Sequence, residues 1–191
     1  VVVPPYYPDS KVVRKDIAQH YNNIYYMDKR VGEIISKLEA DGEADKTIII
    51  WTTDHGDGLP RSKREVYDSG IKVPLIIYWP ERFRPIDNQP GGQSDSLISF
   101  VDLGPSILSL AGLRAPEHMQ GSARFGTQKA KERTHIYAAK DRFDEHFFYE
   151  RAVRTHQYKY IRNYLPGLPG GRHLIYRDNQ EIMQDLWKHL A

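Results

Sequence analysis

Residues 48–58 read IIIWTTDHGDG, an apolar run that ends on adjacent Asp54 and His55. A continuous apolar run of this length is typical of a strand that is buried on both faces of a parallel sheet. Ligands usually bind in the crevice at the carboxyl ends of such strands. Asp54 and His55 are therefore candidate metal ligands, because Gly56 allows the sharp turn that directs both side chains at one ion. The alternative is a capping aspartate beside a surface histidine.

The composition is that of an ordinary globular protein. The chain has 191 residues, of which 40% are hydrophobic and 27% are charged, so one sizeable domain can form. Its net charge of +2 does not indicate nucleic acid as a partner. Cysteine is absent, which excludes disulfides and thiolate metal sites. No apolar run approaches the roughly 20 residues that cross a bilayer, and the opening VVVPPYYPDS favours the interior of a longer protein.

The flanking residues predict an α/β layer over residues 1–133. Apolar residues at helical spacing predict one helix over about residues 10–40, and VPLIIYWP predicts a second buried parallel strand. Residues 81–95 are rich in turn formers and predict a surface loop, and a helix is expected near residues 103–111.

The pattern changes near residue 134. HIYAAK and AVRTHQYKYIRNY predict antiparallel strands, the second with a tight connection at residues 155–157. An amphipathic helix is expected at about residues 180–190. We therefore expect a small α+β subdomain with an antiparallel sheet over residues 134–191.

The segment RSKREVYDSG contains Lys63, a candidate cation for an anionic group of a substrate. A compact ammonium group suits a tetrahedral oxyanion. The alternative is a solvated run of charges, because Lys63 lies among Arg61, Arg64 and Glu65.

Further candidates lie in the C-terminal region. Asp141 and Arg142 in AAKDRFDE are candidate contacts to a sugar or its second acidic group, with a salt-bridged turn as the alternative. Tyr158, Tyr160 and Tyr164 alternate as strand residues do, so we expect core packing rather than carbohydrate stacking.

Four blocks occur in a fixed order: TTDHGDG, a short basic loop with a lysine, YDSGIKVPLIIYWP, and SLISFVDLGPSILSLAGLRAPEHMQG. In this order they resemble the C-terminal half of the sulfatase family, over about residues 4–164. VRKDIAQHYNNIYYMDKRVG and AAKDRFDEHFFYERAVRTHQYKYIRNY are most similar to bacterial sulfatases related to heparan N-sulfatase. The resemblance implies part of an alkaline phosphatase-like sandwich with a mostly parallel sheet.

The resemblance also implies roles for particular residues. Asp54 corresponds to a metal ligand, His55 to the neighbour that completes the metal site or touches the sulfate, and Lys63 to the lysine that contacts the sulfate. In the family a formylglycine hydrate attacks sulfur, and a divalent ion, usually calcium, polarises the sulfate oxygens. Because calcium prefers oxygen ligands, the imidazole of His55 keeps zinc and manganese as alternatives.

The chain lacks the C/S-x-P-x-R motif from which formylglycine is made, and the N-terminal aspartate pair of the family. We therefore expect the chain alone to be inactive and its parent to hydrolyse O- or N-sulfates, of a carbohydrate by resemblance. A phosphatase or phosphodiesterase of the same superfamily and a non-catalytic binding module are the alternatives. Open strand edges predict pairing with a missing N-terminal half or self-association. The resemblance also implies a periplasmic or secreted location.

Overall fold

The computed structural model describes residues 1–85 and 89–190. Residues 86–88 of the predicted surface loop and the final residue of the predicted C-terminal subdomain lie outside this part. The helices are α1 (Lys11–Ala40), α2 (Asp68–Ile71), α3 (Leu103–Leu110), α4 (Ile175–Asp178) and α5 (Glu181–Leu190). The strands are β1 (Ile49–Thr52), β2 (Leu75–Tyr78), β3 (Ile136–Phe143), β4 (His146–Arg154) and β5 (Lys159–Asn163).

The long helix predicted near the start is confirmed as α1. The Ser10 hydroxyl oxygen caps it by accepting the Val13 N–H at 3.1 Å. Beyond its last residue Gly42 takes the left-handed conformation, with φ of 70°, that ends many helices. Over the described residues no helix has the length and apolar character needed to span a membrane.

The terminal helix is confirmed as α5, and it packs against the first turns of α1. Asp16 of α1 accepts the N–H of Ile182 at 2.9 Å, and Ser10 donates to Asp185 at 2.5 Å. These polar contacts fix the angle at which the apolar faces meet. The buried cluster between them contains Tyr7, Val13, Ile17 and Ile182, with Val3, Leu59 and Leu186 packed against it.

β1 and β2 form a two-stranded sheet and run antiparallel, with Thr52 opposite Leu75. The prediction that these two strands are parallel is wrong, because an apolar run carries no information about strand direction. The direction follows from the connecting loop, which folds back on itself. Thr52 Oγ1 donates to the Pro74 carbonyl at 2.8 Å, and the Gly56 N–H donates to the Gly70 carbonyl at 2.9 Å.

The expected burial of both faces of these strands is also not found. All residues of β1 are half-buried, and β2 alternates, with Ile76 exposed. Residues 21–30 of α1 are exposed throughout. Within the part of the chain that the structure describes, apolar side chains of β2 and of the middle of α1 thus remain exposed.

β3, β4 and β5 form a second sheet in that order, which confirms the predicted antiparallel strands. Val153 lies opposite Tyr160, and the Thr155 N–H closes the turn by donating to the Tyr158 carbonyl at 2.8 Å. β3 and β4 are joined by a two-residue turn in which Asp144 has φ of 49°. Sequence reasoning missed residues 146–151, the first six of the nine residues of β4.

The expectation that the three tyrosines pack in the core is wrong. Tyr158, Tyr160 and Tyr164 are 75%, 64% and 40% exposed. Alternation places Tyr158 and Tyr160 on one face of the sheet, and the described residues leave this face open. Tyr164 instead stacks on Tyr149, with ring centroids 4.5 Å apart.

The chain divides into two compact units. The first consists of Val1–Gln89, Lys140–Phe148 and Leu165–Ala191, and it contains every candidate site residue. The second consists of Pro90–Ala139 and Tyr149–Tyr164. The boundary expected at residue 134 stays a prediction.

In the second unit the predicted helix is confirmed as α3. The fully buried Asp102 precedes it and accepts the N–H groups of Ser99 at 3.0 Å and Ser122 at 2.9 Å. Its carboxylate also pairs with Arg133 at 2.5 Å. Asp102 is thus a satisfied structural carboxylate.

Candidate active site

Asp54 and His55 lie side by side just after β1. His55 Nε2 is 3.4 Å from Asp54 Oδ2, and the aspartate side chain is 86% exposed. His55 Nδ1 is 2.6 Å from the carbonyl oxygen of Gly56. A carbonyl can only accept a hydrogen bond, so in the neutral imidazole the proton is on Nδ1 and the lone pair is on Nε2. The lone pair therefore belongs to the nitrogen nearest the carboxylate.

This arrangement fits two ligands of one divalent ion. Two ligands about 2.1 Å from a tetrahedral zinc ion, or about 2.4 Å from calcium at right angles, lie roughly 3.4 Å apart. A ligating histidine usually donates its other ring N–H to a carbonyl or carboxylate, as His55 does to Gly56. Within residues 1–85 and 89–190, no group of three or more His, Asp or Glu side chains could hold a metal ion. The pair is thus a partial donor set.

Two glycines allow the β1–β2 loop to fold tightly against itself. A Cβ atom on Gly56 would lie 1.8 Å from the Ser69 carbonyl oxygen, and one on Gly70 would lie 2.2 Å from the Glu65 carbonyl oxygen. Both distances are far inside van der Waals contact, and the obstacles are backbone atoms. The close approach that shapes the turn after His55 therefore requires glycine at both positions.

Lys63 lies in the basic segment, which we define as residues 61–65 of this loop. Its backbone N–H donates to the Asp57 carbonyl at 2.9 Å, so the basic segment folds back onto the Asp-His turn. Its Nζ atom lies 5.5 Å from the centroid of the Tyr176 ring. Over the described part of the chain, no carboxylate forms an ion pair with Lys63. The ammonium can therefore take an anionic ligand.

Buried ion pairs hold the basic segment in place. Glu65 pairs with Lys140 at 2.6 Å and with Arg177 at 3.4 Å, and the three side chains are at most 12% exposed. Glu65 and Lys140 are 75 positions apart. Sequence reasoning missed this cluster because no local pattern signals a pairing over such a separation.

Asp141 and Arg142 lie on β3. They are flanked by Lys140 and Asp144, which anchor the β3–β4 hairpin to the basic segment. Lys140 precedes them in the buried cluster, and Asp144 after them pairs with Arg64 at 3.0 Å. Both candidate side chains are exposed. The structure thus brings the hairpin that carries Asp141 and Arg142 to the segment that carries Lys63.

The basic segment has an unfavourable backbone conformation at two arginines. Arg61 has φ of 64° and Arg64 has φ of 75°, in the left-handed region that residues other than glycine and asparagine rarely adopt. Each such residue costs about 1–2 kcal/mol. The Ser69 hydroxyl donates to the Arg61 carbonyl at 2.6 Å and helps to hold this conformation. Strain of this kind is concentrated at functional sites.

Two residues that precede β1 in the sequence also contact the β1–β2 loop. His20 Nε2 lies 3.0 Å from Asp57 Oδ1, and the Tyr7 hydroxyl donates to the Pro60 carbonyl. Burial raises the pKa of the Tyr7 phenol, so it remains protonated at neutral pH. The loop is therefore supported from both sides.

Comparison with known proteins gives matches along most of the chain. The sulfatase family model matches residues 2–113, and the model of the N-sulphoglucosamine sulphohydrolase C-terminal region matches residues 60–168. An ulvan-active sulfatase from Formosa agariphila is 44% identical over 184 residues, which are 96% of this chain and 30% of that protein. Human N-sulphoglucosamine sulphohydrolase is 30% identical over 118 residues, 62% of this chain and 23% of that protein.

The fold is similar to that of a protein solved in complex with its substrate, D-glucosamine-2-N,6-O-disulfate. The TM-score is 0.64 at 24% identity, over 83% of this chain and 34% of that chain. This likeness confirms the predicted fold class. The chain spans about 30% of the length of two ulvan-active sulfatases that it matches. Because the sulfatase model covers more than half of the 191 residues, the chain belongs to the sulfatase family, as its resemblance to the C-terminal part of these enzymes predicted.

Proposed function

We propose that this chain is the C-terminal part of a sulfatase that hydrolyses sulfate esters or N-sulfates of a carbohydrate. Membership of the sulfatase family supports the reaction class. The names of its relatives support a carbohydrate substrate, since they include ulvan-active sulfatase, N-sulphoglucosamine sulphohydrolase and N-acetylglucosamine-6-sulfatase. The chain lacks the C/S-x-P-x-R motif, so the formylglycine that attacks sulfur would come from outside it.

The observation that carries the proposal is the Asp54–His55 pair. Its 3.4 Å separation and the lone pair on His55 Nε2 suit two ligands of a divalent ion. Calcium is expected from the family, whereas the imidazole suits zinc or manganese. Such an ion supplies Lewis-acid polarisation of the sulfate oxygens. Asp54 would contribute the negative charge and His55 the neutral nitrogen donor.

Lys63 is proposed to contact the sulfate group that is transferred. Its ammonium has no carboxylate partner among the described residues, and the anchored basic segment gives it a defined position. A fixed positive charge stabilises the negative charge of the sulfate oxygens during attack, without reorganisation at that moment. Asp141 and Arg142, exposed on the neighbouring hairpin, would contact the sugar.

The test is an assay of the full-length parent protein against an aryl sulfate and an aryl phosphate. We expect hydrolysis of the sulfate, and a loss of about a hundredfold in kcat/KM for Lys63→Ala, the magnitude typical of removing one fixed donor at the reacting group. Lys72→Ala is the matched control, because Lys72 is an exposed lysine beyond the basic segment. A preference for phosphate, or equal effects of the two substitutions, would overturn the proposal.

A further inference from the structure

The basic segment contains a second cation without a carboxylate partner. Arg64 pairs with Asp144, and Glu65 pairs with Lys140. Over residues 1–85 and 89–190 Arg61 has aromatic contacts and no ion pair. An exposed arginine in an ordinary solvated charge run has no need of a fixed position, yet Arg61 is fixed.

Two tyrosine rings hold the guanidinium of Arg61. Its Cζ atom lies 4.6 Å from the ring centroid of Tyr6 and 4.3 Å from that of Tyr67, both within cation–π distance. These contacts use the π-faces and leave the N–H donors at the edge of the guanidinium plane.

The backbone of Arg61 is held as firmly as its side chain. Its left-handed φ of 64° is disfavoured, and the hydrogen bond from Ser69 to its carbonyl opposes relaxation. Arg61 nevertheless remains exposed, as do both tyrosines, at 41% for Tyr6 and 38% for Tyr67. The cation is therefore oriented in advance and open to a ligand.

We infer that Arg61, two residues before Lys63 in the basic segment, binds a second anionic group of the substrate, a carboxylate or a second sulfate. The inference rests on the proposed function. The fork of guanidinium N–H groups matches two oxygens of either group in a bidentate contact. The favoured substrates are therefore acidic saccharides that carry two anionic groups.

The experiment compares ligand affinities of the full-length parent protein and its Arg61→Gln variant by calorimetry, in a background without the nucleophile. The probes are glucosamine N-sulfate, glucosamine 2-N,6-O-disulfate, and N-sulfated glucosamine linked to a uronate. We expect about a tenfold loss of affinity for one doubly anionic probe and unchanged affinity for the monosulfate. The disulfate arm reports a second sulfate, and the uronate arm reports a carboxylate.

Arg82→Gln is the matched control, because Arg82 is exposed and stacks on Phe83, at 4.7 Å, beyond the basic segment. The inference would be overturned if Arg61→Gln left the affinity for all three probes unchanged, or lowered it equally for all three. Should that variant fold poorly, Arg61→Lys decides, since it keeps the charge and loses the fork. Wild-type affinity of Arg61→Lys for both doubly anionic probes would then contradict the inference. Failure of the proposed function has a different signature, namely unchanged monosulfate affinity in Lys63→Ala.

Discussion

The Lys140 ammonium lies 2.6 Å from the Glu65 carboxylate, with the two side chains only 2% and 9% exposed. The pair joins β3 to the basic segment that carries Lys63. A buried charge is tolerated when its partner is present and becomes costly when the partner is removed. The position of Lys63 thus depends on an ion pair between the nearby Glu65 and a lysine that lies 75 positions further along the chain.

Glu65→Gln is expected to lower the free energy of unfolding by about 3 kcal/mol, because it removes the buried carboxylate charge that pairs with both Lys140 and Arg177. Urea unfolding of the full-length parent measures this loss. Glu181→Gln is the control, since the Lys15–Glu181 pair is exposed and such pairs contribute about 0–1 kcal/mol. Similar losses in both variants would show that the Glu65 cluster is not buried as described.

Gly56→Ala should destabilise the loop, whereas Gly58→Ala should not. A Cβ on Gly56 meets the Ser69 backbone at 1.8 Å, but one on Gly58 has no neighbour within 4 Å among the described residues. Overpacking against backbone costs roughly 1–3 kcal/mol, and the turn at Asp54 and His55 would shift. Thermal unfolding and sulfate hydrolysis of both variants test this, and equal behaviour would contradict it.

Asp54→Asn should weaken binding of a divalent ion to the full-length protein by at least about tenfold, since a neutral amide replaces a charged ligand. Calorimetry with calcium, manganese and zinc measures the loss. His55→Asn should shift the preference towards calcium, because an amide oxygen replaces the imidazole nitrogen. Asp45→Asn, at an exposed carboxylate, is the control. Unaltered affinities in the Asp54 variant would remove this residue from the metal site.

Asp178 should contribute to stability in a way that depends on pH. Burial would raise the pKa of its carboxyl, but hydrogen bonds from Trp187 at 2.9 Å and His173 at 2.7 Å lower it below the usual 3.8. A lowered pKa in the folded state gives stability that is present above about pH 4 and is lost as the pH falls through the folded value. Asp178→Asn should therefore be less stable than the wild type near neutral pH, with the difference shrinking in acid. Urea midpoints across the acid range test this, and a difference independent of pH would refute it.

These 191 residues on their own are expected to self-associate or to bind the N-terminal part of a sulfatase. The exposed middle of α1 includes Tyr21, Ile24 and Met27, which form part of the apolar face predicted from the sequence. Contiguous exposed apolar surface of this kind marks an interaction site. Light scattering measures the association, and Ile24→Lys should reduce it. A clean monomer of the unsubstituted chain would contradict the expectation.

Local patterns predicted the elements well, and pairings between distant residues much less well. The helical spacing from Val13 to Leu38 and the caps at Ser10 and Gly42 are local, so α1 was predicted almost to the residue. The direction of β2 relative to β1 depends on how the loop folds back, and no local pattern specifies that.

The candidate site shows the same division. Motif order indicated Asp54, His55 and Lys63, because their spacing along the chain is itself the signal. The residues that hold the basic segment, Lys140 and Arg177, gave no signal, since an isolated Lys or Arg is usually solvent-exposed. The contacts of Tyr6 and Tyr67 with Arg61 were also missed, because no local pattern specifies which rings a given arginine contacts.

The β1–β2 loop begins and ends at neighbouring positions of one sheet, Thr52 and Leu75. The chain entropy lost on closing such a loop grows only slowly with its length, so the register of the two strands does not by itself limit the length of the loop. The same segment is nevertheless tied to residues far along the chain, since Arg64 pairs with Asp144 and Glu65 pairs with Lys140 and Arg177. Residues 53–74 are therefore expected to vary together with these three partners rather than independently of them.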